Sequence, residues 1–115
     1  MTEYIGDQGE VSIFKIDALP KDMVTKSVER YAKGYIISHS ERGYHHVLVD
    51  GEVMEKTNNV PTGMRILYAI VNEPTSFIQD APTPHEGYTL NPGIYMFKVA
   101  REHDHFINEA RRVAD

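Results

Sequence analysis

Turn signals recur along this chain at intervals too short for long helices, and β-prone runs fill the spaces between them. Residues 10–16 alternate, with Val11, Ile13 and Ile16 apolar and Phe14 beside them, until Asp17-Ala18-Leu19-Pro20 ends the run. Further strands are expected at 35–38, 45–49, 53–56, 64–71, 75–79, 88–90 and 94–100. The run 64–71 is the most apolar, which predicts a central strand. Asp50-Gly51 is a strong hairpin signal, because both central residues of a type I′ turn need positive φ. Residues 53–56 are therefore expected to pair back on 45–49. Residues 1–9, with Gly6, Asp7 and Gly9, read as an irregular lead-in.

Two stretches depart from this rhythm. In 21–33, Met23, Val24, Val28 and Tyr31 could share a helix face, while Val24, Lys26 and Val28 could alternate in a strand. An extended or irregular path is favoured. Near the C-terminus, Asp104 can cap a helix over 105–113. Ile107, Ala110 and Val113 fall roughly on one face of it, and Arg111 and Arg112 suit its negative end. The expected fold is an all-β single domain over 1–115, a small barrel or sandwich with a short C-terminal helix.

With 115 residues the chain can bury a core as one domain. It has no cysteine, which excludes disulfides, iron–sulfur clusters and thiolate zinc sites. The net charge is −5, and the basic residues are scattered apart from Arg111-Arg112. That balance argues against nucleic-acid binding by phosphate neutralisation. No apolar run approaches the ~20 residues of a membrane-spanning helix. The polar start Met1-Thr2-Glu3-Tyr4 has no signal-like apolar region. A cytoplasmic location is expected.

The histidines carry the first candidate site. His39, His46 and His85 could present three imidazoles to a divalent metal ion with an open coordination position. On a strand His46 shares a face with Tyr44 and Leu48, and His45 points the other way. His46 is therefore the interior candidate. The competing reading makes these hydrogen-bonded histidines of the fold, some at the surface. Glu41, Asp80 or Glu86 could add a carboxylate, and spacing does not choose among them. The tyrosines carry the second candidate site. Tyr44, Tyr68 and Tyr88 fall on or beside strands, where they could line a mouth for a small ligand or protein partner, or pack in the core. His103 and His105 flank the capping Asp104. Arg101, Glu102, Asp104, Arg111, Arg112 and Asp115 could form ion pairs that pin the helix. No Gly-x-Ser-x-Gly nucleophile motif and no phosphate-cradling glycine loop is present.

Several blocks in order give a resemblance. Gln8-Gly9-Glu10-Val11 is similar to a Q-G-D-V-like opening strand. Ser38-His39-Ser40-Glu41 and Gly43-Tyr44-His45-His46 are similar to an A-H-G-E…G-H-x-H segment. Leu90-Asn91-Pro92-Gly93-Ile94-Tyr95 is similar to an L-P-P-G-x-Y turn. Arg101-Glu102-His103-Asp104 and Arg111-Arg112-Val113-Ala114-Asp115 are similar to an R-E-Y-D…R-R-V-x-D ending. Together they resemble a family of small bacterial and phage proteins whose activity is not established. The histidine spacing resembles that of small cupin-like barrels that bind a metal. The chain departs from the pattern at Tyr44, where a histidine is expected, and at Phe77-Ile78-Gln79-Asp80, which replaces most of an L-T-H-x-x-H segment. His39, His46 and His85 survive.

The depleted histidine set favours a non-catalytic acidic binding protein of phage or bacterial origin, engaging a protein partner or small ligand. A counter-defence inhibitor is one form of this. The alternatives are a cupin-like metalloprotein or vestigial metalloenzyme holding a divalent ion, and a phage structural or decoration protein working as a homo-oligomer. In phage the location would be the host cytoplasm or the virion.

Overall fold

A computed structural model describes residues 1–39, 44–80 and 87–100. Its strands are β1 (Glu3–Gln8), β2 (Val11–Ile16), β3 (Thr25–Ser27), β4 (Tyr35–Ser38), β5 (His46–Leu48), β6 (Glu52–Lys56), β7 (Met64–Val71), β8 (Thr75–Gln79), β9 (Tyr88–Leu90) and β10 (Gly93–Ala100). One sheet has six strands in the order β1-β2-β10-β7-β6-β3, and the other has four in the order β4-β5-β8-β9. Every pairing between these strands is antiparallel. The all-β expectation holds. Among the described residues the form is two open sheets, not a closed barrel. The helix expected at 105–113 lies outside the described residues. No described helix is long and apolar enough to cross a membrane.

The long apolar runs sit where they bury most. Strands β7 and β10 are the middle of the six-stranded sheet, in a register that pairs Leu67 with Phe97. Their inward residues Leu67, Ala69, Val71, Tyr95, Phe97 and Val99 meet Ile37, Leu48, Phe77 and Leu90 of the other sheet. Burying side chains of this size contributes about 1.5–3 kcal/mol each. The outer face of the six-stranded sheet is also apolar. Phe14, Ile66, Tyr68 and Met96 form a second cluster there, covered by Leu19, Met23, Met54 and Val60. A strand buried on both faces loses its alternation, which is why 64–71 reads as a continuous apolar run.

Three expectations change. Residues 3–8 are an ordered edge strand, pairing from Glu3↔Lys15 to Gln8↔Val11 with a register shift between Tyr4 and Gly6. Its glycines and aspartate lower strand propensity, but cross-strand pairing decides. The Asp50-Gly51 hairpin does not form. Strand β5 belongs to the four-stranded sheet, and β6 pairs with β7 in the other. Only Gly51 has positive φ, at 131°, so the type I′ condition fails. Asp50 instead receives the Gly51 N–H on its carboxylate and donates its own N–H to Thr75 Oγ1, which makes a corner between sheets. Finally, β5 is only three residues long, so the alternation expected to carry Tyr44 inward stops before it. Tyr44 is 39% exposed. The ambiguous stretch 21–33 contains the short strand β3, which pairs with β6.

Candidate functional site

The tip of the β1–β2 hairpin builds the most polar part of the interior. Gln8 pairs with Val11, leaving Gly9 and Glu10 as a two-residue loop. Gly9 has φ 57°, and glycine with positive φ at the first central position is the mark of a type II′ turn. A Cβ at Gly9 would stand 3.0 Å from both Cε1 and Nε2 of His46. The turn therefore needs glycine for its backbone and for the ring packed against it. The Ala100 N–H donates to the Glu10 carbonyl at 3.1 Å, tying the tip to the end of β10.

Gln8, Glu10, Ser38 and His46 then form one connected network across the two sheets. The Gln8 amide nitrogen donates to the Phe77 carbonyl at 3.4 Å, which turns its oxygen toward His46. His46 Nδ1 lies 2.7 Å from that oxygen and so carries the proton of this bond. On the other side of the ring, Nε2 faces Glu10 Oε2 at 3.3 Å. The second Glu10 oxygen accepts from the Ser38 hydroxyl at 2.6 Å. His46 is 2% exposed, and its ring stacks on Phe77, which tilts against Phe97. Burial pushes the Glu10 carboxyl up. The hydrogen bonds from His46, Ser38 and its own backbone N–H, with the charge on His46, outweigh that and bring it from 4.5 to about 2.

A second polar pair spans the same end. Arg65 and Glu55 sit opposite Val99 and Leu67, so both point into the space between the sheets. Arg65 donates to both Glu55 oxygens, Nε at 3.1 Å and Nη2 at 2.8 Å. Its Nη1 reaches the Ile37 carbonyl of the facing sheet at 3.4 Å. The pair is mostly buried, and the fork geometry matches the carboxylate.

Outside this network lie His39, Tyr44 and His45. The His39 and His45 rings are 5.0 Å apart, centroid to centroid, and steeply inclined at 73°. Partial desolvation, then the charges of His45 and Arg65, lower the His39 pKa below its ordinary value. His39 and Tyr44 are exposed and His45 is half-buried.

The sequence-predicted residues therefore divide. His46 is interior, as expected from its shared face with Leu48, and both its ring nitrogens face acceptors of the fold. The ring standing against His39 is that of His45, not His46. His85 lies outside the described residues, as do Glu41, Glu86, His103 and His105. Among the described residues, no group of three or more histidines and carboxylates is placed to hold a metal ion. The three tyrosines do not converge. Tyr68 is buried on the outer face of the six-stranded sheet, while Tyr88 packs between the sheets and donates to the Asp7 carbonyl at 2.8 Å. Gln8, Glu10, Ser38, Glu55 and Arg65 were not anticipated. A usable signal exists for two of them: Gln8-Gly9-Glu10-Val11 is a turn sequence that places two polar side chains around one glycine.

Residues 7–102 match a family described as a domain of unknown function (DUF8820). No curated protein and no solved structure matches the chain.

Proposed function

The chain belongs to the DUF8820 family, and for it we propose a non-catalytic binding role in which one end of the sandwich engages a protein partner. One observation carries this reading: the buried polar groups at that end are committed to one another. His46 faces Gln8 and Glu10 with its two nitrogens, Glu10 holds His46 and Ser38, and Arg65 holds Glu55 and the Ile37 carbonyl. A general base or nucleophile needs a lone pair directed at a substrate. Here the polar atoms act instead as a brace between the two sheets.

What the brace supports is a surface. Next to it in the chain are His39, which follows Ser38, and Tyr44 and His45, which precede His46. Tyr44 is an exposed tyrosine, and tyrosine is enriched at the anchor positions of protein interfaces. Charge favours a partner with a basic contact face, given the net −5.

Site-specific photo-crosslinking in cells of the source organism tests the reading. A photoreactive residue at Tyr44 should give a discrete adduct with another protein. The same residue at Tyr4, which is 51% exposed, should not give that adduct. Equal adducts at both positions, no adduct at Tyr44, or an adduct only with a second copy of this chain would each overturn it.

A further inference from the structure

The corner at Asp50-Gly51 carries chemistry of its own, separate from partner binding. The fold requires glycine there: its φ is 131°, and a Cβ would stand 3.1 Å from the Ile70 carbonyl oxygen. The Gly51 amide is therefore unshielded by a side chain on its own residue. It belongs to neither β5 nor β6, and its N–H donates to Asp50 Oδ1 at 2.9 Å. The amide nitrogen thus lies against the exposed carboxyl of the preceding residue. Holding a nucleophile against its electrophile raises the rate of their reaction. We propose that Asp50 is a site of spontaneous isomerisation to isoaspartate.

The step balances with water alone. The Gly51 nitrogen attacks Cγ of the protonated Asp50 carboxyl. The N–Cγ bond forms, the Cγ–OH bond breaks, and the amide proton leaves with the hydroxyl as water. Water then opens the succinimide ring at the Asp50 main-chain carbonyl carbon and breaks its bond to the Gly51 nitrogen. The chain now runs through the side-chain methylene, and the former main-chain carbonyl is a carboxylate. Mass and net charge are unchanged. Asp50 is the one aspartate or asparagine in the chain that glycine follows. At Asp7, by contrast, the carboxylate accepts from the Ser12 hydroxyl and the next residue, Gln8, pairs with Val11. The effect falls on the link between the sheets. The Asp50 N–H is tied to Thr75 Oγ1 and Glu52 is paired with Ile70, so the added main-chain methylene must be absorbed between these two points.

Incubation of the folded full-length protein in mildly acidic buffer, followed by peptide mapping with isoaspartate-specific detection, tests the proposal. An isomer of unchanged mass should accumulate in the peptide that carries Asp50, ahead of those that carry Asp7, Asp17 or Asp22. Asp50→Glu should lose the signal, because its longer side chain closes the ring poorly. Asp50→Asn should lose ammonia through the same ring and show the mass gain of an amide-to-acid change. A synthetic peptide of residues 46–56 serves as the unfolded reference. Conversion in the peptide with none in the folded protein would mean that the corner protects Asp50, and would overturn the proposal. Equal conversion at Asp17 or Asp22, no conversion in protein or peptide, or an Asp50→Asn protein whose mass holds would overturn it too.

Discussion

The two ends of the sandwich are closed by different means. At one end, bonds run mainly between near neighbours: the Asp50 carboxylate accepts the Gly51 N–H, and the Tyr95 hydroxyl donates to the Asn91 carbonyl. The Asp50 N–H to Thr75 Oγ1 bond is the longer link there. At the other end, side chains distant in sequence join the sheets: Glu10 with Ser38, Gln8 with His46 and with Phe77, Arg65 with Ile37. The first end is a set of turns and the second is a polar clamp. Turns of the first kind tolerate change locally. A buried polar clamp fails when any one member leaves its partners unsatisfied.

His46→Ala should therefore be the most damaging substitution. It removes a buried ring from against Phe77 and leaves Gln8 and Glu10 without their shared partner. A loss of about 3 kcal/mol is expected in urea unfolding. A loss under about 1 kcal/mol would mean the polar end is no more tightly held than the turn end. Arg65→Ala comes next, at about 2–3 kcal/mol, because Glu55 keeps a mostly buried charge without its cation. Arg65→Lys should recover only part of this, since lysine cannot reproduce the two-point fork.

Gly9→Ala probes the clamp through the backbone. Alanine at φ 57° costs about 1–2 kcal/mol, and its Cβ meets the His46 ring at 3.0 Å. If the His46 ring shifts to relieve the contact, the loss should carry over to the Glu10 pair. A double-mutant cycle of Gly9→Ala with Glu10→Gln would then give a non-additive result. Additive losses would confine the effect of Gly9 to the turn.

The contrast between the ends also explains what could be read in the sequence. Strands such as 64–71, 75–79 and 88–90 were legible because apolar runs bounded by turn residues report on burial and chain reversal. The interior place of His46 followed from its alternation with Leu48. Sheet membership was not legible at Asp50-Gly51, where the same dipeptide that closes hairpins makes a corner held by the Thr75 contact across 25 residues of chain. Gln8 and Glu10 flank a glycine like any surface turn. Their role depends on a histidine 36 or more residues later, and no local pattern carries that distance. Arg65 lies within the apolar run 64–71, and its inward place opposite Val99 is set by strand pairing.

Acid sharpens the comparison further. Glu10 is held at about 2 in the folded protein against 4.5 ordinarily, so its contribution is fully present above about pH 4.5 and fades as pH falls toward 2. Because Glu10 is 30% exposed, that contribution is discounted to about 1–2 kcal/mol. Wild type should exceed Glu10→Gln by this amount at neutral pH, and the two stabilities should converge between pH 4.5 and 2. Other carboxylates titrate in both proteins and cancel in the difference. A gap that stays constant down to pH 2 would assign the effect to shape, not to the charge of Glu10.

Asp50→Ala, at the opposite end, should have the smallest effect. It removes one exposed carboxylate bond to the Gly51 N–H, and water can replace that acceptor at the surface. The backbone bond from Asp50 to Thr75 remains, because it uses the main-chain N–H. A loss of about 0.5 kcal/mol is expected, with no change in the pH dependence assigned to Glu10. Thr75→Val is the stricter variant, because it keeps the side-chain shape and removes the acceptor of the Asp50 N–H at a buried position. If Asp50→Ala proved as harmful as His46→Ala, the corner would be clamping the sheets as firmly as the polar network does. The difference in how the two ends are built would then have no energetic counterpart.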